Sequence, residues 1–209
     1  MTRQIRVLVA DDHPAVRQGL TTILNSQKDI KIVAEATDGE EACKLYDQLS
    51  PDVLMVDLRM PKKDGLQVLI ELTSRRVSKA RIIVMSSYDS EQDIRQALSA
   101  GAKAFLVKGS HPQLIREAVR RVAEGESFLP PEIGIKLAES MSHPELSERE
   151  RQVLHHLAQG RSNKEIGRAL FISEGTANYH VKSILSKLDA VGRTEAIAIA
   201  ARRGLIHLS

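Results

Sequence analysis

Short apolar runs alternate with amphipathic helical patterns over the first 124 residues, and no other feature of the chain constrains its fold as strongly. Mostly apolar runs of four to six residues are typical of strands that helices cover on both faces. These runs are Arg6–Ala10, Lys31–Ala36, Val53–Val56, Arg81–Met85 and Ala104–Val107. Five strand–helix units in succession predict an α/β domain, with a parallel sheet wrapped by helices and right-handed crossovers.

The segments between these runs carry apolar residues at helical spacing. In the first segment Val16, Leu20 and Ile23 recur at helical intervals, and Pro14 suits the first turn of a helix. The other predicted helices of this domain are Glu40–Leu49, Gly65–Arg76, Glu91–Ala100 and Pro112–Glu124.

The pattern changes after residue 124, where glycine, serine and two prolines interrupt the helical spacing. We therefore predict a first domain over residues 1–124 and a linker over 125–146. A short connecting helix is predicted within that linker at Glu132–Met141. Residues 147–209 lack strand signals and predict a second, smaller all-α domain.

Helix-start motifs organise this second domain. "SERE" and "SNKE" are Ser-x-x-Glu capping boxes, which place helix starts directly after Ser147 and Ser162. Two further helices are predicted at Glu174–Leu188 and Arg193–Arg203, in a four-helix arrangement.

Composition and charge exclude several classes of protein. No apolar run is long enough for a membrane span, and the start of the chain lacks the apolar core of a signal peptide. Cys43 is the only cysteine, so no internal disulfide can form, and we expect a cytoplasmic protein. Residues 147–209 hold 10 Lys/Arg against 6 Asp/Glu, whereas the rest holds 20 against 21. This balance indicates a polyanionic partner for the second domain only.

Charged and hydroxyl side chains follow the predicted strands at their carboxyl ends, where ligands bind in parallel sheets. Asp11 and Asp12 follow the first strand, Asp57 the third, Ser86 the fourth and Lys108 the fifth. Three neighbouring carboxylates raise each other's pKa unless a cation lies among them, and Mg²⁺ prefers such oxygen ligands. Any single one of these residues alone is more often a solvated loop residue, so the prediction depends on the whole set.

This set predicts a site for an aspartyl phosphate. A carboxylate beside Mg²⁺ can attack a phosphoryl group, because the metal offsets the charge of both reactants. Asp57 is the best candidate nucleophile, while Lys108 and Ser86 could bind the phosphoryl oxygens.

The third helix of the second domain has one apolar stripe and one polar face. Its apolar residues recur at i, i+3, i+4 and i+7 and should face the core; they are Val181, Ile184, Leu185 and Leu188. The opposite face carries Asn178, Tyr179, Lys182, Ser183 and Ser186. A short turn separates this helix from the preceding one, as in a helix-turn-helix whose last helix reads a DNA groove.

Individual side chains of this region suit different parts of DNA. Lys182 could contact a phosphate or a guanine edge, Asn178 an adenine edge and Lys164 the DNA backbone. The pattern alone favours the plainer interpretation, a small helical bundle that has a hydrated face, because amphipathic helices are common.

The motifs "VLVADDHPAVRQGL", "PDVLMVDLRMPKKDGLQVL", "IIVMSS" and "GAKAFLVKGS" closely resemble the receiver domain of two-component response regulators. The resemblance covers residues 1 to about 124 and implies the flavodoxin-like (βα)5 fold, with Asp57 as the phosphoacceptor. It further implies that Asp12 ligates Mg²⁺ directly and that Asp11 holds a metal-bound water. Asp57 itself and the Arg59 backbone carbonyl would complete the protein ligands.

The same resemblance implies a conformational switch. Lys108 would contact the phosphoryl group, Ser86 would be the switch hydroxyl and Phe105 the switch aromatic. The family often has tyrosine at this last position, so Phe105 keeps the ring and lacks the phenolic hydroxyl. The plainer interpretation of Phe105, core packing, stays open.

Residues 146–206, "LSERERQVLHHLAQGRSNKEIGRALFISEGTANYHVKSILSKLDAVGRTEAIAIAARRGLI", resemble the four-helix LuxR/NarL-type DNA-binding domain. With the receiver, this makes the chain similar to a NarL/FixJ-family response regulator. Family members usually carry lysine where this chain has Asn178, and a small or aliphatic residue is common at Tyr179. Loss of one cation removes about one phosphate contact.

The resemblance implies a regulator whose phosphorylation controls DNA binding and transcription. It implies a sensor histidine kinase as partner, double-stranded DNA as target, and a homodimer when phosphorylated. One alternative is a receiver that acts through protein contacts without sequence-specific DNA binding. Another is a phosphatase like the haloacid dehalogenases, but this needs an aspartate two residues after the nucleophile, where this chain has Arg59. We therefore expect no enzyme.

Overall fold

The structure is a computed structural model that describes residues 3–75, 80–87, 90–141 and 144–206, with only the backbone of 139–141. The predicted helix end at Arg76 lies outside these residues. The first domain contains β1 (Ile5–Ala10), α1 (Pro14–Asn25), β2 (Ile30–Ala36), α2 (Gly39–Leu49), β3 (Val53–Asp57), α3 (Gly65–Ser74), β4 (Ile82–Ser86), α4 (Glu91–Ser99), β5 (Ala104–Val107) and α5 (Pro112–Ala123). These are followed by α6 (Pro131–Met141), α7 (Glu148–Ala158), α8 (Asn163–Leu170), α9 (Glu174–Leu188) and α10 (Arg193–Arg202).

The five strands form one parallel sheet in the order β2-β1-β3-β4-β5. This confirms the predicted α/β fold class, a flavodoxin-like receiver fold with a smaller helical domain after it. β3 is buried at every residue, while the edge strand β2 is only partly covered. Because β1 lies directly beside β3, with Ala10 opposite Val56, the residues that follow both strands meet at one edge of the sheet.

The sheet is covered on both faces. Val7, Met55 and Ile83 belong to a core that also includes the inner faces of α1 and α5. The alternate residues Leu8 and Leu54 point to the other face and are fully buried there as well. Because both faces of these strands are buried, their sequences are nearly continuous runs of apolar residues.

The helical unit has a core of its own. Ser147 and Ser162 both form the predicted capping boxes, and α9 spans Glu174–Leu188 as predicted. Val181, Ile184 and Leu188 of the predicted stripe are buried, and Leu185 packs against them partly exposed. Within the described ranges, no helix combines the length and the apolarity that a membrane span requires.

Candidate functional site

Asp11 is completely buried at the carboxyl end of β1, and its position is fixed by the backbone around it. Its amide donates to the Ala36 carbonyl (3.1 Å), and its Oδ1 accepts from the His13 amide (2.8 Å). The Arg17 guanidinium donates to the Asp11 carbonyl oxygen at 2.7 Å. A charged side chain held without access to solvent needs a counterion, and the ammonium of Lys108, 2.8 Å from Asp11 Oδ2, supplies it.

Asp12 and His13 lie at the outer side of the same pocket. Asp12 is solvent-accessible, and the imidazole Nδ1 of His13 lies 2.7 Å from its Oδ1. Ligand-type atoms of Asp11, Asp12, His13 and Asp57 all lie within 4.8 Å of one another. Sequence reasoning missed His13, although its place directly after the two aspartates was the signal that could have found it.

Asp57 is the last residue of β3 and is almost wholly buried. The ammonium of Lys108 lies 2.7 Å from Asp57 Oδ2 and 2.8 Å from Asp11 Oδ2, so one cation bridges carboxylates from two strands. The Lys108 amide donates to the Ser86 carbonyl (2.7 Å), which fixes the residue directly after β5. The structure thus brings together the three side chains that the sequence placed at separate strand ends.

The electrostatics of the pocket reflect burial and pairing. Burial raises the pKa of Asp57, and the charge of Asp11 adds to this effect, while Lys108 opposes it. For Lys108, burial lowers the pKa, but hydrogen bonds to Asp11 and Asp57 outweigh it and the net pKa is raised. The ammonium is therefore held charged between two carboxylates.

The donor set fits a hard divalent cation. Three carboxylates from two adjacent strand ends converge, and one of them, Asp12, faces solvent. Mg²⁺ prefers oxygen ligands and retains several waters, so a pocket that is open on one side suits it. Arg59 is exposed beside this pocket, and its backbone N–H donates to Asp57.

Ser86 and Phe105 occupy adjacent strands and are both buried. Ser86 ends β4 opposite Val107, and Phe105 lies opposite Val84, so the two residues stand two positions apart in the register of β4 and β5. Since side chains alternate along a strand, Ser86 and Phe105 point to the same face of the sheet.

The loop after β3 turns back closely against the strand. The Gly65 amide donates to the Leu58 carbonyl at 3.0 Å, and Asp64 caps α3. A Cβ atom on Gly65 would lie 2.2 Å from the backbone oxygen of Asp57. Only glycine allows α3 to begin this close to the candidate nucleophile.

The second unit exposes the side chains predicted to contact DNA. Asn178, Tyr179 and Lys182 lie on the solvent side of α9, with Tyr179 69% exposed, and Lys164 is exposed in the first turn of α8. Ser183 was expected on the same face, but its hydroxyl donates to Glu150 of α7 at 2.7 Å. That prediction is wrong because packing between α7 and α9 engages Ser183.

Glu150 ties α9 to α7 from inside the unit. This buried carboxylate accepts from Ser183, from Lys187 (2.8 Å) and from the Ser147 amide (2.7 Å). Burial alone would raise its pKa, but hydrogen bonds from Lys187, Ser183 and Ser147 prevail and lower the pKa to about 2. Sequence reasoning identified Glu150 only as the last residue of a capping box.

Comparison with known families gives two matches along the chain. Residues 7–120 match the family described as "Response regulator receiver domain", and residues 144–200 match "Bacterial regulatory proteins, luxR family". The transcriptional regulatory protein LiaR of Bacillus subtilis (strain 168) is 37% identical, over 97% of this chain and 100% of that protein. The response regulator protein VraR of Staphylococcus aureus (strain NCTC 8325 / PS 47) is 34% identical, over 97% of this chain and 99% of that protein.

Solved structures show the same architecture. The crystal structure of the response regulator ChrA, from a heme-sensing two-component system, has a TM-score of 0.59 and 38% identity, covering 97% of this chain and 99% of that one. The structure of RcsB from Salmonella enterica serovar Typhimurium, bound to a promoter with the phosphomimetic BeF3−, has a TM-score of 0.73 and 25% identity. It covers 96% of this chain and 99% of that one.

Proposed function

The chain belongs to the DNA-binding response regulators of two-component systems, as its motifs suggested, and from that premise we propose that Asp57 is its phosphoacceptor. One observation carries the proposal: the Lys108 ammonium bridges Asp57 and Asp11 in a pocket where Asp12 also converges. The cationic side chain that is paired with this buried carboxylate can exchange a carboxylate oxygen for a phosphoryl oxygen.

In the proposed reaction a carboxylate oxygen of Asp57 attacks the phosphorus of a phosphohistidine on a sensor kinase, or of a small phosphodonor. The bond from phosphorus to the donor breaks as the acyl phosphate forms. The Asp57 carboxylate loses its charge as it becomes the acyl group, and Lys108 then binds one of the negatively charged phosphoryl oxygens. Ser86, at the end of the neighbouring strand, supplies a hydroxyl for a second oxygen.

We propose Mg²⁺ as the cofactor of this site. Asp11, Asp12, Asp57 and the Arg59 carbonyl would hold it, with Asp11 acting through a bound water. When bound, the ion offsets the negative charge of the carboxylates and of the incoming phosphate. The three converging carboxylates and the exposure of Asp12 support this assignment.

The signal would leave the pocket through Ser86 and Phe105. Both are buried and point to the same face of the sheet, so a movement of the Ser86 hydroxyl towards the phosphoryl group opens space that the Phe105 ring can enter. We propose that this repacking changes the surface around β5. The missing phenolic hydroxyl makes the step depend on packing alone.

The output is proposed to be binding of double-stranded DNA by the second domain, as a homodimer when phosphorylated. Asn178, Tyr179 and Lys182 would enter the major groove from α9, and Lys164 would contact the backbone. Their shared exposure supports this, as does the structure of two RcsB dimers bound to DNA. One such helix alone buries too little surface for tight specific binding.

Phosphorylation of the purified chain tests the proposal. We expect a small phosphodonor with Mg²⁺ to add one phosphoryl group to the wild type, seen by intact-mass spectrometry, and none to Asp57→Asn. Asp47→Asn, on the surface of α2, is the matched control and should be phosphorylated normally. A phosphorylated Asp57→Asn protein would show that another residue is the acceptor.

Turnover of phosphate esters is not expected of this pocket. The residue two positions after Asp57 is Arg59, whose side chain cannot act as the acid and base that a phosphatase of this chemistry needs. Phosphate release from a generic ester should match the rate of Asp57→Asn, and a clear excess in the wild type would contradict this.

A further inference from the structure

A chain of hydrogen bonds runs from α10 through α8 to the exposed face of α9. Arg193, at the start of α10, donates to the Arg161 carbonyl at 2.6 Å and to Asn163 Oδ1 at 2.8 Å. Asn163, the first residue of α8, donates from its Nδ2 to Asn178 Oδ1 at 3.2 Å. Three helices thus converge on one exposed amide of the proposed DNA-binding face.

The chemistry of Arg193 fixes the direction of every bond in this chain. A guanidinium has only donors, so the atom of Asn163 that faces it must be the carbonyl oxygen. The Asn163 amide nitrogen therefore faces Asn178, and the Asn178 atom that meets it must be an acceptor. Side-chain amides are commonly ambiguous in orientation, but here a group that can only donate removes the ambiguity for both.

We call the hydrogen-bonded set Arg193, Asn163 and Asn178 the clamp. We propose that the clamp presents Asn178 to DNA as a hydrogen-bond donor, and that Asn178 contacts the acceptor edge of guanine instead of the edge of adenine. The inference rests on the proposed function, in which α9 enters the major groove. Adenine contact requires the amide oxygen to accept from N6 while the nitrogen donates to N7. With Oδ1 turned towards Asn163, the exposed end of Asn178 offers N–H groups, which match both the O6 and N7 acceptors of guanine but only the N7 of adenine.

The exposed side chains near Asn178 also require hydrogen-bond acceptors on the DNA. Lys182, one turn further along α9, and Lys164, next to Asn163 on α8, are exposed cations that only donate. An Asn178 that presents its N–H groups therefore belongs to a face whose exposed polar groups are donors, which suits the acceptors on phosphates and base edges.

Selection of binding sites from randomised duplex DNA by the full phosphorylated chain gives the first test. Comparison of the wild type with Asn178→Ala locates the base pair that depends on Asn178. We expect guanine there, with affinity about tenfold above that of the same site carrying adenine, as one good base-edge contact provides. Adenine at that position in the wild type would overturn the proposal.

Asn163→Asp is the decisive variant because it reverses the clamp. The new carboxylate still accepts from Arg193, and now also accepts from the Asn178 nitrogen, which turns Oδ1 outward. We expect the guanine-to-adenine affinity ratio to fall below one in Asn163→Asp, more than about tenfold under the wild type. Asn163→Ala, which only frees Asn178, should bring the ratio close to one. A wild-type ratio in Asn163→Asp would refute the clamp.

Gln152→Glu, on the exposed surface of α7, is the control for added negative charge. It should weaken binding to both sites alike and leave their ratio unchanged. If the wild type selects no sequence at all, the proposed DNA-binding function fails. If it selects a sequence that Asn178→Ala does not alter, the proposed function stands and this inference falls.

A measurement on the free protein covers the case in which the Asn163 variants do not fold. In Asn178→Ala the Asn163 Nδ2 protons lose their acceptor, so their NMR resonance should move upfield and exchange faster with solvent. An unchanged resonance would show that the bond is absent in solution.

Discussion

The ammonium of Lys108 lies between two buried carboxylates that come from different strands, and this arrangement gives the pocket its chemistry. Asp11 and Asp57 are each too buried to be stable as ions without a partner, and Lys108 is the partner that the described residues provide. The same cation stands where a phosphoryl oxygen must arrive. One side chain thus stabilises the resting pocket and is positioned for the reaction.

Replacing Lys108 with glutamine tests whether this lysine stabilises the pocket as the counterion of two carboxylates. We expect the free energy of unfolding to fall by about 3 kcal/mol without Mg²⁺, because two buried carboxylates lose their counterion. Saturating Mg²⁺ should restore more stability to Lys108→Gln than to the wild type, since the ion replaces the missing charge. Urea denaturation with and without Mg²⁺ measures both effects.

Lys44→Gln is the control for this prediction, because Lys44 is an exposed lysine of α2. It should change the free energy of unfolding by less than about 0.5 kcal/mol. Equal Mg²⁺ stabilisation of Lys108→Gln and the wild type would contradict a shared site for the lysine and the ion.

Glu150 gives the second unit a stability that depends on pH. Its pKa is about 2 in the folded protein, below the ordinary value of 4.5, because hydrogen bonds from Lys187, Ser183 and Ser147 outweigh its burial. A depressed carboxyl pKa contributes stability above pH 4.5 that is lost as the pH falls towards 2. The difference corresponds to roughly 3 kcal/mol.

Glu150→Gln should therefore unfold more easily at pH 7 and lose less stability than the wild type between pH 5 and about 2. Denaturant unfolding of the full chain, followed by helical circular dichroism at several pH values, measures the difference. Glu148→Gln, an exposed position on the same helix, should keep the wild-type pH dependence. An equal pH dependence of Glu150→Gln and the wild type would contradict the assigned pKa.

At the scale of elements, local patterns predicted the strands and helix starts well. The apolar runs predicted both ends of all five strands to within one residue. Strands that are buried on both faces are apolar at nearly every position, so the run of apolar residues coincides with the strand. The capping boxes gave the starts of α7 and α8, since that motif is a local hydrogen-bond pattern. The converging carboxylates followed from strand order, which alternating units constrain.

Contacts between distant elements could not be predicted in this way. Ser183 has the polar character of an exposed residue, and only the packing of α9 on α7 brings it to Glu150. The bond from Asn163 to Asn178 joins residues 15 positions apart, with no repeating pattern between them. The predicted domain bounds and the roles of the site residues stay predictions.

The turn from β3 into α3 offers a test at this scale. A Cβ on Gly65 would meet the Asp57 backbone oxygen at 2.2 Å, so Gly65→Ala must push α3 away from the strand end. We expect a loss of about 1–3 kcal/mol in the free energy of unfolding, together with slower phosphorylation of Asp57. Thermal unfolding and intact-mass time courses measure these two effects.

Gly19→Ala is the matched control, since nothing lies within 4 Å of a Cβ at this exposed position of α1. It should stabilise the protein by about 0.5–1 kcal/mol, because alanine favours a helix more than glycine does. A Gly65→Ala protein as stable as Gly19→Ala would show that the loop adapts without cost.

At the scale of the whole molecule, the carboxylate pocket and the proposed DNA-binding face belong to two units with separate hydrophobic cores. The first carries the carboxylate pocket at the edge of its sheet, and the second carries the exposed cations of the proposed DNA-binding face. Net charge follows the same division, because the excess of Lys/Arg lies in residues 147–209. Under the proposed function, phosphorylation changes how copies of the chain assemble or how the second unit is presented to DNA.

Salt dependence of DNA binding separates these possibilities, because each phosphate contact contributes about 0.9 to the slope of log K against log salt concentration. If the phosphorylated chain binds as a homodimer, Lys182→Gln removes one contact from each protomer and should lower the slope by about two. A phosphorylated monomer would lose about one, and Lys44→Gln should leave the slope unchanged. Fluorescence anisotropy with a labelled operator at several salt concentrations gives these slopes. A slope that does not change in Lys182→Gln would mean that α9 does not meet a phosphate there, whatever the assembly.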